Sequence, residues 1–288
     1  MKKLAVIAAG TGVVTLGLYG GVNLYATKTA EAKIDEFIAE VNDEFVIEYG
    51  SVNPSLLRSN VTVNDVRITP VDQPEQGVTV DRIVVRQFEH EADFPIAVDA
   101  SLRGIQFISM PTAVPAFLAE MPQTGYAAAP SFNLDTKYDY SKSSQEASLE
   151  QFRIGADDLG YLDVTLKVSN VAPDAIDSDP MLHSAQIVYS DRSFAETWLA
   201  TLASQNNQDV AQFKTELANN LSQAAQFFLS PSDPATMGMV QEAAAFIENP
   251  KGFTLAIAPQ QPVRMSDLAA VGGPQAWVTL LNLNIEAH

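Results

Sequence analysis

The chain reads as an α+β protein, with an N-terminal transmembrane helix, then a long antiparallel meander of about eight or more strands packed against a C-terminal group of amphipathic helices. Three observations predict this. Residues 4–26 carry no charge, residues 45–191 alternate apolar and polar with a period of two, and residues 193–249 repeat with the period of a helix. Apolar residues make up 47% of the 288 and charged residues 18%, so the chain can bury a core and is not disordered throughout.

The opening stretch follows Lys2 and Lys3 and is 23 residues long, enough at about 1.5 Å per residue to cross a hydrocarbon core of about 30 Å. The best small-x-small cleavage site, Ala30-Glu31-Ala32, lies beyond the polar Thr27, Lys28 and Thr29, too late for ordinary signal removal. The segment is therefore expected to stay as a signal anchor. Its two lysines hold the N-terminus in the cytoplasm, which places the body in the periplasm of a bacterial envelope, tethered to the inner membrane by a single pass. Gly10-Thr11-Gly12 lacks a preceding strand and is not a nucleotide loop.

Residues 27–43 continue as an amphipathic linker helix, with Ala30, Ile34, Phe37, Ile38 and Val41 on one stripe and an acidic opposite face that suits packing on the body better than lying on lipid. Strands are expected at 45–49, 61–69, 78–88, 96–107, 132–140, 147–154, 162–168 and 184–190. The 162–168 run is the clearest, since Leu162, Val164, Leu166 and Val168 alternate with Asp163, Thr165 and Lys167. Short polar connections favour hairpins, and residues 111–121 read as a short helix over the sheet.

Ser193 with Glu196 forms a capping box for a first C-terminal helix, broken at Asn206-Asn207. Val210, Phe213, Leu217, Leu221, Ala225 and Phe228 line a second. Asp233-Pro234 starts a third, which stops before Asn249-Pro250. A strand at 253–257, a short helix capped by Gly272-Gly273 and a final strand carrying Leu281, Leu283 and Ile285 complete one integrated body over 44–288. That body is mainly β over 44–191, mainly α over 192–250 and mixed over 251–288.

Composition excludes several functions. A net charge of −18, from 35 acidic and 17 basic residues, repels nucleic acid and anionic lipid head groups. The absence of cysteine excludes disulfides, thiolate catalysis and Cys-ligated metals. His90 stands between Glu89 and Glu91 with no second histidine at ligand spacing. Asp174, Asp177 and Asp179 share a loop without the glycine and glutamate of a calcium hand, and Asp157-Asp158 point apart, unlike a hydrolytic pair. No nucleophile elbow, Walker loop or zinc-protease helix is present, so no enzyme, cofactor or metal is expected.

What remains is apolar surface. If the helices leave part of the sheet's oily face open, Phe107, Phe132, Tyr138, Phe152, Leu162, Val164 and Leu166 are the residues expected to line a groove for a lipid or other hydrophobic ligand. If the helices close it, the body is a scaffold for another envelope protein. A hydrolase with an unsignalled site is the remote third reading.

The Lys-led anchor, the Ala/Lys/Glu helix and the phrase "VIEYGSVNPSLLRSNVTVNDVRI", with its V-x-V-x-D-V-x-I strand, resemble the AsmA-related and neighbouring bacterial envelope proteins. The tail "NPKGFTLAIAPQQPVRMSDL" is similar to those of proteobacterial envelope proteins. The resemblance implies an inner-membrane-anchored periplasmic protein serving lipid handling or envelope maintenance. It carries over no functional residue. This chain is far shorter than the large members, whose grooves bridge two membranes.

Overall fold

The structure, a computed structural model, describes residues 27–55, 60–91, 94–109, 130–172, 178–228 and 234–288. The expected anchor over 4–26 and the helix expected over 111–121 lie outside these residues. Among the described residues no helix is long and apolar enough to cross a membrane. The chain forms two compact units, one up to Asp139 and the other from Tyr140. Both are built on antiparallel strands, so the α+β class holds.

In the first unit, helix α1 (Thr27–Val41) precedes strands β1 (Phe45–Glu48), β2 (Ser51–Ser55), β3 (Asn60–Pro70), β4 (Gly77–Glu91), β5 (Phe94–Ser109) and β6 (Phe132–Ser141). The strands run in the order β1-β3-β4-β5-β6, with β2 on the free end of β3. Strand β2 is not among the strands expected from the sequence, and it carries Pro54. The proline is tolerated at an edge, where the missing N–H would have faced no partner. Helix α1 lies against β1 and β2 and buries Ile34 to 3%, with Ile38 and Val41 half-buried.

The apolar face of this sheet is fully buried at its centre, where Val80, Ile83 and Leu102 are each 1% exposed. It is kept in phase by an extra residue carried at one level by three neighbouring strands. On β6, Phe132 and Leu134 lie two apart and so share a face, yet their partners on β5, Ile105 and Leu102, lie three apart. Val80 and Ile83 on β4, and Val66 and Val63 on β3, continue the same two rows with the same spacing. The surplus is absorbed by left-handed backbone at Asp65 (φ 55°) and Gly104 (φ 70°). A second bulge, at Arg86-Gln87 opposite Asp99, brings Phe88 to the face of Val85.

The second unit has the strand order β7 (Glu146–Ala156), β8 (Gly160–Ser169), β9 (Met181–Asp191), β10 (Gly252–Ile257) and β12 (Leu283–Ala287), with β11 (Val263–Arg264) on the far end of β9. Helices α2 (Phe194–Gln205), α3 (Val210–Phe228) and α4 (Pro234–Glu248) stand between β9 and β10, followed by short helices α5 (Met265–Ala270) and α6 (Pro274–Leu281). As expected, the last strand returns to the sheet, pairing with β10.

Two details differ from expectation. The Ser193-Glu196 capping box does not form. Ser193 Oγ donates to the Asp158 carbonyl (2.5 Å), Glu196 pairs with Lys214, and Asp191 Oδ1 caps α2 by accepting from the Ala195 N–H (2.8 Å). Gly272-Gly273 does not close a helix that then gives way to strand. Instead α5 ends at Ala270, and Gly273 opens α6 with Pro274 as its first residue, so Leu281 is helical. Asn282, in left-handed conformation (φ 47°), then turns the chain into β12.

Candidate functional site: an apolar sheet face

The registers of the second unit set apolar side chains in continuous rows. Leu149, Leu166, Ala185, Ile257 and Leu283 form one row, and Phe152, Val164, Ile187, Leu255 and Ile285 the next. Ile154, Leu162, Tyr189, Phe253 and Ala287 form the third. A bulge in β7 between Leu149 and Phe152 keeps both on this face. The opposite face is polar: Arg153 reaches Asp163 (3.9 Å) and lies 4.3 Å over the Tyr161 ring, and Lys167 reaches Glu146 (3.9 Å).

Helices cover the apolar rows unevenly. At the β9–β10 end, Phe246 of α4 packs edge-on to Phe253 (5.4 Å between centroids, 85°) and to Tyr189 (6.0 Å, 72°). Glu242 of the same helix accepts from the Ala287 N–H (2.8 Å), tying α4 to β12. Leu268 of α5 and Leu281 of α6 close a small core with Leu182 and Val263, against which Leu166, Val168 and Ala185 rest. Phe152, Ile154, Leu162, Val164 and Ile187 are only half-buried, in contrast to the 1% residues of the first sheet.

The seven residues proposed from sequence fall into two groups. Phe107 and Phe132 meet edge-on at 6.4 Å in the first unit, both half-buried, and Tyr138 pairs across β5–β6 with Val98. Phe152, Leu162, Val164 and Leu166 share the apolar face of the second unit. Tyr189, Phe246, Phe253, Ile187 and Leu255 belong to the same face and are not among the residues expected from sequence. The alternation in "SAQIVYS" and "GFTLAI" carried the signal for the strand members, but the partner of Phe246 depends on how α4 folds back.

The polar candidates are engaged in local structure. Asp179 accepts from the N–H (3.0 Å) and the hydroxyl (2.6 Å) of Ser266, capping α5 from a distance, and these bonds hold its carboxyl below the usual carboxylate range. Asp174 and Asp177 lie outside the described residues. Asp157 accepts from the Tyr161 hydroxyl, and both it and Asp158 are exposed. His183 bonds Ser169 Oγ (2.7 Å) and His288 bonds Thr254 Oγ1 (2.8 Å). The His90 side chain lies outside what is described. Among the described residues no three His, Asp or Glu side chains converge on a common point.

A family model described only as "Uncharacterized protein" matches residues 153–288, which take in most of the second unit and nearly all of this apolar face. No curated protein matches the chain in sequence.

Proposed function

We propose that the chain is a non-enzymatic, membrane-tethered periplasmic protein. In this reading the second unit holds a lipid or similar hydrophobic ligand against the face formed by Phe152, Leu162, Val164 and Leu166. The observation that carries it is the half-burial of those side chains on a sheet whose register makes three unbroken apolar rows. Apolar surface left open to water costs roughly 25 cal/mol per Å², so a protein gains by keeping it covered, and an acyl chain supplies that cover without specific polar contacts. The face itself is aliphatic and aromatic, which suits retention of a ligand rather than its conversion. The uncharged span at 4–26 supports attachment to the inner membrane, and the resemblance to AsmA-related proteins points to envelope lipid handling.

A second reading is a scaffold that buries the same face against another envelope protein. One experiment separates the two. A photoreactive p-benzoylphenylalanine is placed in the full-length chain in cells, at Val164 on the apolar face or at Thr165 on the polar one. Irradiation is expected to add a lipid-sized mass at position 164 and none at 165. A protein adduct at 164 would transfer the proposal to the scaffold reading, and no adduct at 164 would overturn both.

A further inference from the structure

We infer that the polar face of the first unit's sheet carries a binding site for a phosphorylated polyol, gripped by Arg82 and Arg86. The two arginines lie four apart on β4, and β2 and β3 bring Ser55, Asn53, Asn60, Thr62 and Asn64 beside them around an open cleft of about 700 Å³. That volume is within the range of small-molecule sites, roughly 300–1,000 Å³, and far exceeds what a lone phosphate occupies.

Three observations point to an anion. Among the described residues no carboxylate lines the cleft, although acidic residues outnumber basic ones by 35 to 17 in the chain. The register sets Arg82 directly opposite Arg103, an unfavourable like-charge pair on neighbouring strands. Arg103 is neutralised by Asp135 (2.6 Å), whereas Arg82 has no hydrogen-bond or ion-pair partner among the described residues. Arg86 spends one N–H on Asp99 (2.8 Å), and a guanidinium has four more to offer. A bound phosphate would separate and neutralise the arginine charges, because guanidinium and phosphate match in forked geometry.

The rest of the lining selects the remainder of the ligand. Amides and hydroxyls donate and accept in pairs, the complement of a polyol's hydroxyls. Asn53 and Asn64 each donate an amide N–H to Ser51 Oγ (3.1 and 3.0 Å), which fixes the orientation of both side chains before any ligand arrives.

The test titrates the full-length chain, in a non-ionic polyoxyethylene detergent, with inositol 1-phosphate, inorganic phosphate and inositol by calorimetry. Sedimentation with phosphatidylinositol vesicles presents the same headgroup on a lipid. Inositol 1-phosphate is expected to bind at least about 10-fold more tightly than either fragment, and Arg82→Gln to weaken it by about 10-fold or more. Asn60→Asp, which adds a carboxylate to the cleft with little change of shape, is expected to abolish binding. Arg153→Gln, in the second unit, leaves it unchanged. Binding of free inositol 1-phosphate assigns the site to soluble ligands, and binding to vesicles alone assigns it to a lipid headgroup. Either supports the site if Arg82→Gln reduces it. No binding in either arm, or equal binding by Arg82→Gln, would overturn it.

Discussion

At the scale of single residues, polar side chains act mainly by closing local hydrogen bonds across elements that are distant in sequence. Tyr49 donates its hydroxyl to Asp35 Oδ1 (2.8 Å), joining the end of β1 to α1. Burial, then the hydrogen bond to the Asp35 carboxylate, which holds the proton on the phenol, pushes the phenol up to about 12. An unfolded tyrosine ionises near 10, so the folded state favours the protonated form. Its contribution is complete below about pH 10 and is lost as pH rises toward 12. Tyr49→Phe is expected to lower stability by about 1 kcal/mol at pH 8, and the gap from wild type should narrow between pH 10 and 12 in thermal melts. A gap that stays constant through that window would show that the bond to Asp35 is not what the hydroxyl contributes. Asp191 illustrates the same economy, since it caps α2 through the Ala195 N–H while accepting from Tyr189 (2.5 Å). Ser193, the better capping residue by local rule, is drawn off to the Asp158 carbonyl.

At the scale of elements, the shared extra residue in β3, β4 and β5 decides whether the first sheet has one apolar face or two half-faces. Without it Val66, Ile68, Val78 and Val80 would turn to the polar side, because the side-chain period of a strand is two. Gly104 is the tightest point. Its φ is 70°, and a Cβ there would stand 2.0 Å from Asp81 Oδ2. Gly104→Ala is therefore expected to destabilise the protein by at least about 2 kcal/mol in urea unfolding, since it adds a clash to left-handed strain. Asp65→Gly, at φ 55°, is expected to be neutral or slightly stabilising, because glycine adopts that conformation without a Cβ penalty. A mild Gly104→Ala effect would mean that the strands can drop the extra residue and still keep their rows.

At the scale of the whole molecule, the dominant quantity is charge. A net charge of −18 repels itself most in the compact state, and salt relieves that repulsion as the screening length falls from about 30 Å at 0.01 M to about 8 Å at 0.15 M. The melting temperature is accordingly expected to rise by a few degrees over that range in calorimetry. A fall would mean that attractive pairs such as Arg86–Asp99 and Arg103–Asp135 outweigh the net repulsion.

Much of the fold was legible in the chain itself. Strand β8 declared its two faces through Leu162, Val164 and Leu166 against Asp163, Thr165 and Lys167. Helices α2, α3 and α4 began and ended close to their Asn, Asp-Pro and Asn-Pro signals. Strand β2 was illegible because Pro54 is forbidden or harmless according to whether the strand is central or at an edge. The Gly-Gly-Pro of 272–274 was ambiguous because glycine closes one helix as readily as it opens the next. Of the candidate site, the sequence placed Phe152, Leu162, Val164 and Leu166 on one strand face, since alternation is a local property of the backbone. It could not show which of those side chains a helix would cover, or that Arg82 would come to stand opposite Arg103. Cover and cross-strand pairing depend on register and on how the helices fold back, and those are set by the packing of residues far apart in the chain.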